Sequence, residues 1–149
     1  MNGRRRKIKV TRPGEGAVCN VVGDTYRFLG TGVDTDASYF IMEALVPPGG
    51  GTPPHFHTRE EEGFYVLDGE LEFTADGETV RASAGTFVNL PKGSRHFVRN
   101  VGDRPARMLV LCAPAGIEGF FAAADGQGPE KVVELAARYG IHILPPGSS

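Results

Sequence analysis

Residues 49–69 read GGGTPPHFHTREEEGFYVLDG, a glycine- and proline-rich loop that leads into two histidines and an apolar run. His55 and His57 are two residues apart, so on a strand both side chains point to the same face. Glu62 shares its parity with Phe64 and Val66, which are natural core-facing residues. The stretch therefore predicts strands that carry two imidazoles and a carboxylate on their inward faces.

Turn signals extend this pattern in both directions. The dipeptide Asp68-Gly69 separates two apolar runs and is typical of a two-residue β-hairpin, and residues 75–77 close a second hairpin. Alternating or β-branched runs recur along the chain, as in an antiparallel all-β domain. The predicted strands are 17–22, 25–29, 38–46, 55–57, 63–67, 70–74, 78–82, 86–90, 96–101 and 106–113.

The last 35 residues change character. Two short helices are predicted over 117–124 and 129–139, the second with Pro129 in its first turn and Gly140 as its stop. An apolar stripe predicts that the second helix packs on the β body; its members are Val132, Val133, Leu135, Ala136 and Tyr139. A last short strand is predicted at 141–144.

A second stretch, residues 85–100, reads GTFVNLPKGSRHFVRN and supplies a third histidine, His96. His96 shares parity with Val98, after a turn shaped by Pro91 and Gly93. Three imidazoles and one carboxylate from separate strands suit one divalent transition metal per chain: Fe, Mn, Ni, Co, Cu or Zn. Four protein ligands around a six-coordinate metal leave two positions for substrate, water or dioxygen, which is the catalytic pattern.

Together the two stretches resemble both signature motifs of the cupin superfamily, as found in small single-domain bacterial cupins. The matching positions are Gly49-x5-His55-x-His57-x4-Glu62-x6-Gly69 (motif 1, 49–69) and Gly85-x5-Pro91-x-Gly93-x2-His96-x3-Asn100 (motif 2, 85–100). The resemblance implies a double-stranded β-helix, the jelly-roll barrel, followed by short C-terminal helices at about 117–139. It also implies that His55, His57, Glu62 and His96 are the metal ligands.

Some residues near the motifs keep a second interpretation. Glu60 or Glu61 would be the ligand after a one-residue slip, although the six-residue gap to Gly69 favours Glu62. His142 lies outside both motifs and is expected at the surface or against a helix. Asn100 is expected to close a turn through backbone hydrogen bonds.

The function follows from the resemblance alone. The stretch 62–69 and the full ligand set are similar to flavonol (quercetin) dioxygenase-like cupins. This implies a dioxygenase that uses dioxygen on a small aromatic, flavonol-like or enolisable substrate, with Glu62 as both ligand and general base. One alternative is a non-redox metal-dependent cyclase or isomerase of polyketide-like or sugar-like substrates. Another is a cupin that binds a small molecule without turnover.

Candidate substrate contacts are apolar. Phe40 and Met42 alternate with Glu43 and should point inward, as should Phe64. They could be plain core or could line a pocket for a flat, hydrophobic substrate above the metal.

The amino-acid composition excludes several structural classes of protein. With 40% hydrophobic and 23% charged residues, 21 glycines and 11 prolines, the 149-residue chain is neither disordered nor a coiled coil. No apolar run approaches the ~20 residues of a membrane helix, and no hydrophobic segment follows the N-terminal charges. We therefore expect a cytoplasmic protein without a membrane partner, whose Cys19 and Cys112 are buried thiols.

Charge is uneven along the chain. Six of the 16 basic residues lie within residues 1–12, which contain no acidic residue, so the remainder is acidic. The basic stretch lacks interleaved aromatics, so we predict a flexible arm at 1–16, one domain at 17–149 and no nucleic-acid partner. Cupin barrels commonly pair through a sheet face, so the resemblance implies a homodimer that uses segments 18–29 and 39–46.

Overall fold

The computed structural model describes residues 5–145 and 147, which fold into two antiparallel sheets. The first sheet has the strand order β1-β2-β3-β10-β5-β8, and the second has the order β11-β4-β9-β6-β7. The strands are β1 (Val18–Val21), β2 (Asp24–Gly30), β3 (Phe40–Val46), β4 (His55–His57), β5 (Glu61–Asp68), β6 (Glu70–Ala75), β7 (Glu78–Ser83), β8 (Phe87–Leu90), β9 (His96–Arg99), β10 (Ala106–Ala113) and β11 (Ile141–Ile143). The helices are α1 (Gly32–Thr35), α2 (Glu118–Ala124) and α3 (Pro129–Arg138).

The predicted all-β architecture with C-terminal helices is confirmed. Every predicted strand and helix has a counterpart whose ends agree within two residues. Helix α1 was not predicted, although it begins with a capping box in which the Asp34 carboxylate accepts a hydrogen bond from the Thr31 N–H at 2.9 Å. The pattern Thr-x-x-Asp is the signal that could have revealed it.

The core lies between the sheets, on the inward face of each strand. Phe40, Met42, Ala44 and Val46 of β3 are all buried, as their alternation with exposed positions predicts. The Phe64 ring of β5 meets the Phe73 ring of β6 in an edge-to-face contact with centroids 5.1 Å apart. This contact joins the two sheets, and each buried phenylalanine contributes about 1.5–3 kcal/mol.

The C-terminal elements complete the wall around the histidine strand. Strand β11 pairs with β4, so that Ile141 lies opposite His57 and Ile143 lies opposite His55. In α2, the Phe121 ring packs on the Tyr26 ring with centroids 4.8 Å apart. The predicted stripe of α3 is buried at Val132, Leu135 and Ala136, but Val133 is 46% exposed and does not belong to it.

The described part of the basic arm has contacts with the barrel. The Thr11 hydroxyl donates to the Leu29 carbonyl at 2.7 Å, and Arg27 donates to the Gly14 carbonyl at 2.8 Å. The boundary at residue 16 and the flexibility of the arm stay predictions, and residues 1–4 lie outside the described part of the chain. The homodimer also stays a prediction.

Two expectations about other residues can be checked. Cys19 and Cys112 are both buried and free of disulfide, as expected. Within residues 5–145 and 147, no helix is both long and apolar enough to cross a membrane.

The side chain of Asn100 is 1% exposed and bonds three backbone groups, one on β3 and two in the loop after β9. Its amide nitrogen donates to the carbonyls of Val46 at 2.9 Å and Arg104 at 2.8 Å, and its oxygen accepts from the Gly102 N–H at 2.9 Å. The expected turn-closing role is confirmed.

Replacing Asn100 by alanine should lower the free energy of unfolding by about 3 kcal/mol, because three hydrogen bonds of about 1 kcal/mol each are lost together. Urea denaturation measures the change. The control is Asn89→Ala, since Asn89 is exposed and bonds only the exposed Glu61. An Asn100→Ala variant as stable as that control would contradict the prediction.

Candidate metal centre

Four chemically active side chains converge where the two sheets face each other. His55 and His57 come from β4, His96 comes from β9 directly opposite His55, and Glu62 comes from β5 in the other sheet. All four are at most 8% exposed. One ligand atom from each lies within 4.8 Å of the others. The structure thus brings together the four residues that the sequence singled out as ligands.

Hydrogen bonds fix the orientation of each imidazole. The Nδ1 atoms of His55 and His96 lie 2.7 and 3.1 Å from the carbonyl oxygens of Pro53 and Ser94. A carbonyl only accepts hydrogen bonds, so each Nδ1 must carry the proton and each Nε2 keeps a free lone pair. The Nδ1 atom of His57 instead faces a carboxylate, Glu60 Oε1, at 3.2 Å.

The atoms that point into the cluster have no hydrogen-bond partners. These orphaned, buried atoms are His57 Nε2, His96 Nε2 and Glu62 Oε1. Glu62 Oε1 lies 3.3 Å from His57 Nε2 and 3.2 Å from His96 Nε2. Leaving such groups buried and unsatisfied costs about 1–3 kcal/mol each, and a divalent cation among them would satisfy all three. The donor set therefore fits a metal.

Burial and neighbouring charges set the protonation states of His55, Glu62 and His57. Burial, with the neighbouring charges of His96 and His57, lowers the pKa of His55 to about 3, so this ring is neutral. Burial opposes ionisation of Glu62, but the charges of His57 and His96 outweigh it and lower the pKa of Glu62 to about 2. Burial also opposes protonation of His57, yet Glu62 and Glu60 outweigh it and raise the pKa of His57. His55 and Glu62 are thus in the forms that bind metals, whereas the raised pKa of His57 favours an imidazolium whose Nε2 proton a bound metal would displace.

The three adjacent glutamates have separate positions. Glu62 enters the cluster, whereas Glu61 is exposed and accepts hydrogen bonds from Asn89 at 2.9 Å and the Lys92 N–H at 3.0 Å. Glu60 is buried against His57. Its role was missed because strand parity does not describe the turn that brings the side chain back to a ring three residues earlier.

His142 lies outside the cluster. It is exposed on β11, and its ring stacks on Phe56 with centroids 4.9 Å apart. The expected surface position is therefore confirmed.

A cavity of about 100 Å³ lies beside the cluster, with His55, His57 and Glu62 in its wall. Met42 and Phe64 line it, as the substrate-contact hypothesis requires. Phe40 does not line it, because its ring packs instead on Phe28 and Phe121, with centroids 5.0 and 6.2 Å away. Inward parity was correct for Phe40, but it does not determine whether an inward side chain reaches the cavity.

The cavity also contains a carboxyl group that sequence reasoning missed. Asp24, at the start of β2, is 2% exposed and accepts a hydrogen bond from the Tyr26 hydroxyl through Oδ2 at 3.3 Å. Its Oδ1 is buried without a partner. Burial raises the pKa of Asp24 to about 6, against the lowering effects of the Tyr26 hydroxyl, the nearby Gly51 amide and the Arg99 charge.

Comparison with known proteins identifies the family. The family described as "Cupin domain" matches residues 42–112. The chain is 36% identical over 108 residues to "Polyketide synthase CurC" of Streptomyces cyaneus, covering 72% of this chain and 70% of that protein. The chain is a cupin. The double-stranded β-helix expected from its motifs is thereby confirmed.

Two further relatives of this cupin differ in their named activities. It is 25% identical over 112 residues to quercetin 2,3-dioxygenase of Bacillus subtilis (strain 168), covering 75% of this chain but only 33% of that protein. It also resembles the structure of the polyketide cyclase RemF from Streptomyces resistomycificus, with a TM-score of 0.63 and 25% identity, over 72% of this chain and 80% of that one.

Changing Glu60 to glutamine should weaken metal binding by about 10–100-fold, the usual effect of losing a charged partner of a ligating histidine. Glutamine keeps an acceptor near His57 but removes the charge. Competition for Zn²⁺ or Co²⁺ against a chromophoric chelator measures the dissociation constant. Glu61→Gln removes the same charge from an exposed neighbour and should change the constant less than about twofold. Equal constants for the two variants would refute the role given to Glu60.

Asp24→Asn should stabilise the protein at pH 8. The folded state holds the Asp24 proton more tightly than the unfolded state, because the pKa is raised to about 6 from its ordinary value of about 3.9. Ionisation above pH 6 therefore costs the fold on the order of 1–3 kcal/mol, and the cost disappears as the pH falls toward 4. Urea denaturation at pH 8 and pH 5 measures the difference, with exposed Asp68→Asn as the control. A gain at pH 5 as large as that at pH 8 would contradict this account.

Proposed function

We propose that this cupin is a metal-dependent enzyme that catalyses a non-redox cyclisation or isomerisation of a polyketide-like substrate. The observation that carries the proposal is the buried cluster of three imidazoles and a carboxylate, with its orphaned atoms, in the wall of an apolar cavity. The 36% identity to a protein named for polyketide synthesis and the likeness to a polyketide cyclase favour this chemistry over oxidation.

A bound divalent metal would supply Lewis-acid polarisation of a substrate carbonyl. His55, His57 and His96 would hold it through neutral imidazole nitrogens, and Glu62 would hold it through Oε1. Oxygen donors such as carbonyls and enolates suit the same class of borderline metals.

Glu62 would also move a proton. Its Oε2 accepts a hydrogen bond from the Cys112 thiol at 3.7 Å, and this is its one hydrogen bond within the described part of the chain. Because a thiol is a weak donor, Oε2 can exchange this contact for a substrate hydroxyl or an acidic C–H group. Glu62 is therefore the residue to which we assign the general-base role.

The cavity wall would exclude water and hold a flat ring. The wall includes Met42 of β3 and Phe64 of β5, together with Phe120, Phe121 and Val132 from the C-terminal helices. Apolar walls around a few polar groups are typical of small-molecule sites. The substrate contacts we propose are thus Met42 and Phe64, without Phe40.

Dioxygenation is the second candidate function. It is favoured by the similarity to quercetin 2,3-dioxygenase and by a ligand set that also suits the redox-active metals Fe, Mn, Ni, Co and Cu. Dioxygen would be the co-substrate, a flavonol-like or enolisable compound would be the substrate, and Glu62 would take the substrate hydroxyl proton.

One incubation distinguishes the two candidates. Protein loaded separately with Zn²⁺ and Fe²⁺ is given an aromatic β-polyketone and a flavonol, under argon and in air, and the products are identified by mass spectrometry. We expect an isomer or a product that has lost water, formed with Zn²⁺ under argon. A product that has gained both atoms of dioxygen, formed only in air, would establish the dioxygenase instead.

The His96→Ala variant is the control for metal dependence. It should lose on the order of 100-fold or more of the rate, since it loses a metal ligand. Its circular dichroism should match that of the unchanged protein, because the barrel has a separate apolar core. Full activity of this variant would refute metal catalysis in either form.

A further inference from the structure

Asp24 and Tyr26 form a polar pair in the cavity wall, outside both sequence motifs. They are adjacent inward positions on β2, and both line the cavity that also contains His55, His57 and Glu62. The Glu62 charge contributes to raising the pKa of Tyr26, which places the pair within electrostatic reach of the metal cluster.

Only one of the two carboxylate oxygens of Asp24 has a hydrogen-bond partner. The Tyr26 hydroxyl donates its one proton to Asp24 Oδ2, whereas Oδ1 has no hydrogen-bond partner and is shielded from solvent. The cavity wall contains the apolar side chains of Val21, Met42 and Met108, and the nearby Gly51 amide lowers the pKa of Asp24 without closing a hydrogen bond of good geometry to Oδ1. A carboxylate oxygen buried in this way costs stability unless something that enters the cavity donates a hydrogen bond to it.

We propose that Asp24 Oδ1 binds a hydroxyl group of the substrate, while a second oxygen of the same molecule lies at the metal cluster. The inference rests on the proposed function and narrows its substrate class to polyoxygenated compounds, such as phenols or enols with a further oxygen. Tyr26 is the positioning residue that holds the carboxylate by its other oxygen.

The chemistry of the pair favours a hydroxyl over a carbonyl. An ionised carboxylate only accepts hydrogen bonds, so Asp24 selects ligand groups that donate. The Tyr26 hydroxyl already donates its hydrogen bond to Asp24, and the nearby Arg99 charge favours the ionised form of Asp24. At neutral pH the pair therefore offers a charged acceptor and no donor.

A purely structural role makes opposite predictions. Oδ1 lies against the loop before β4, where a Cβ placed on Gly50 would lie 3.0 Å from it. If Asp24 served to anchor this loop, Asp24→Asn would destabilise the fold. If Asp24 serves ligand binding at a cost in stability, the same variant becomes more stable and loses ligand selectivity.

Two single-ring probes test the inference. The probes are resorcinol and 3-methoxyphenol, which are among the smallest ring compounds that carry two oxygen substituents. Both present one phenol oxygen to the metal, but only resorcinol has a second hydroxyl to donate. Binding to Co²⁺-loaded protein at pH 7.5 is measured by calorimetry, and the Co²⁺ absorption spectrum reports whether a probe reaches the metal.

We expect the unchanged protein to prefer resorcinol by at least about tenfold, the usual value of a hydrogen bond to a charged group. Asp24→Asn should lose this preference but should bind 3-methoxyphenol as tightly as the unchanged protein does. It should also be more stable than the unchanged protein at pH 8. Asp68→Asn should keep the preference. Tyr26→Phe should reduce it, because the carboxylate is no longer held.

Each contrary result has a distinct meaning. Suppose that both probes change the Co²⁺ spectrum. The inference is then overturned if the unchanged protein does not prefer resorcinol, or if Asp24→Asn keeps the preference. Either result leaves the proposed metal function intact. Destabilisation of Asp24→Asn at pH 8 assigns the residue to the loop and also overturns it. If neither probe binds or alters the Co²⁺ spectrum, the inference is overturned, and the incubation with the aromatic β-polyketone decides the proposed function separately.

Discussion

The carboxylate of Glu62 is buried between the Nε2 atoms of His57 and His96, and this arrangement constrains the whole barrel. Glu62 comes from one sheet and the histidines come from the other, so the sheets must close on each other at this point. Glu62 Oε1 lies 3.3 and 3.2 Å from these two nitrogens, and the three atoms have no hydrogen-bond partners among the described residues, so a cation between them would satisfy all three. The apolar core holds the sheets together around this cluster, whose unsatisfied polar atoms cost the fold free energy that a bound cation would recover.

Charge balance explains why one histidine is held differently from the others. His55 and His96 are oriented by backbone carbonyls, but His57 is oriented by the buried carboxylate of Glu60. A dication beside Glu62 alone would leave a net positive charge in a low-dielectric interior, and a second carboxylate removes it. Glu60 thus completes the electrostatics of the centre without entering it.

Local signals were sufficient for most of the fold and for the four clustered residues. Hairpin dipeptides, strand parity and motif spacing depend on neighbours in sequence, so they predicted the strands and selected Glu62 from three adjacent glutamates. The contacts of Glu60, the burial of Asp24 and the exclusion of Phe40 from the cavity arise from packing between distant segments. Strand parity shows that a side chain points into the barrel. It does not show where along the barrel axis the side chain lies or which side chains surround it.

The cavity therefore has two polar regions of different kinds, with apolar side chains between them. One region holds the electron-pair donors of the metal cluster, which a cation would satisfy. The other holds the unpartnered Oδ1 of Asp24, which a hydrogen-bond donor would satisfy. Both regions cost the isolated fold free energy, and no apolar side chain of the core could relieve either. A ligand with an oxygen for the metal and a hydroxyl for Asp24 would relieve both at once. A substrate with a single oxygen would relieve only one, so the two costs together select for polyoxygenated molecules.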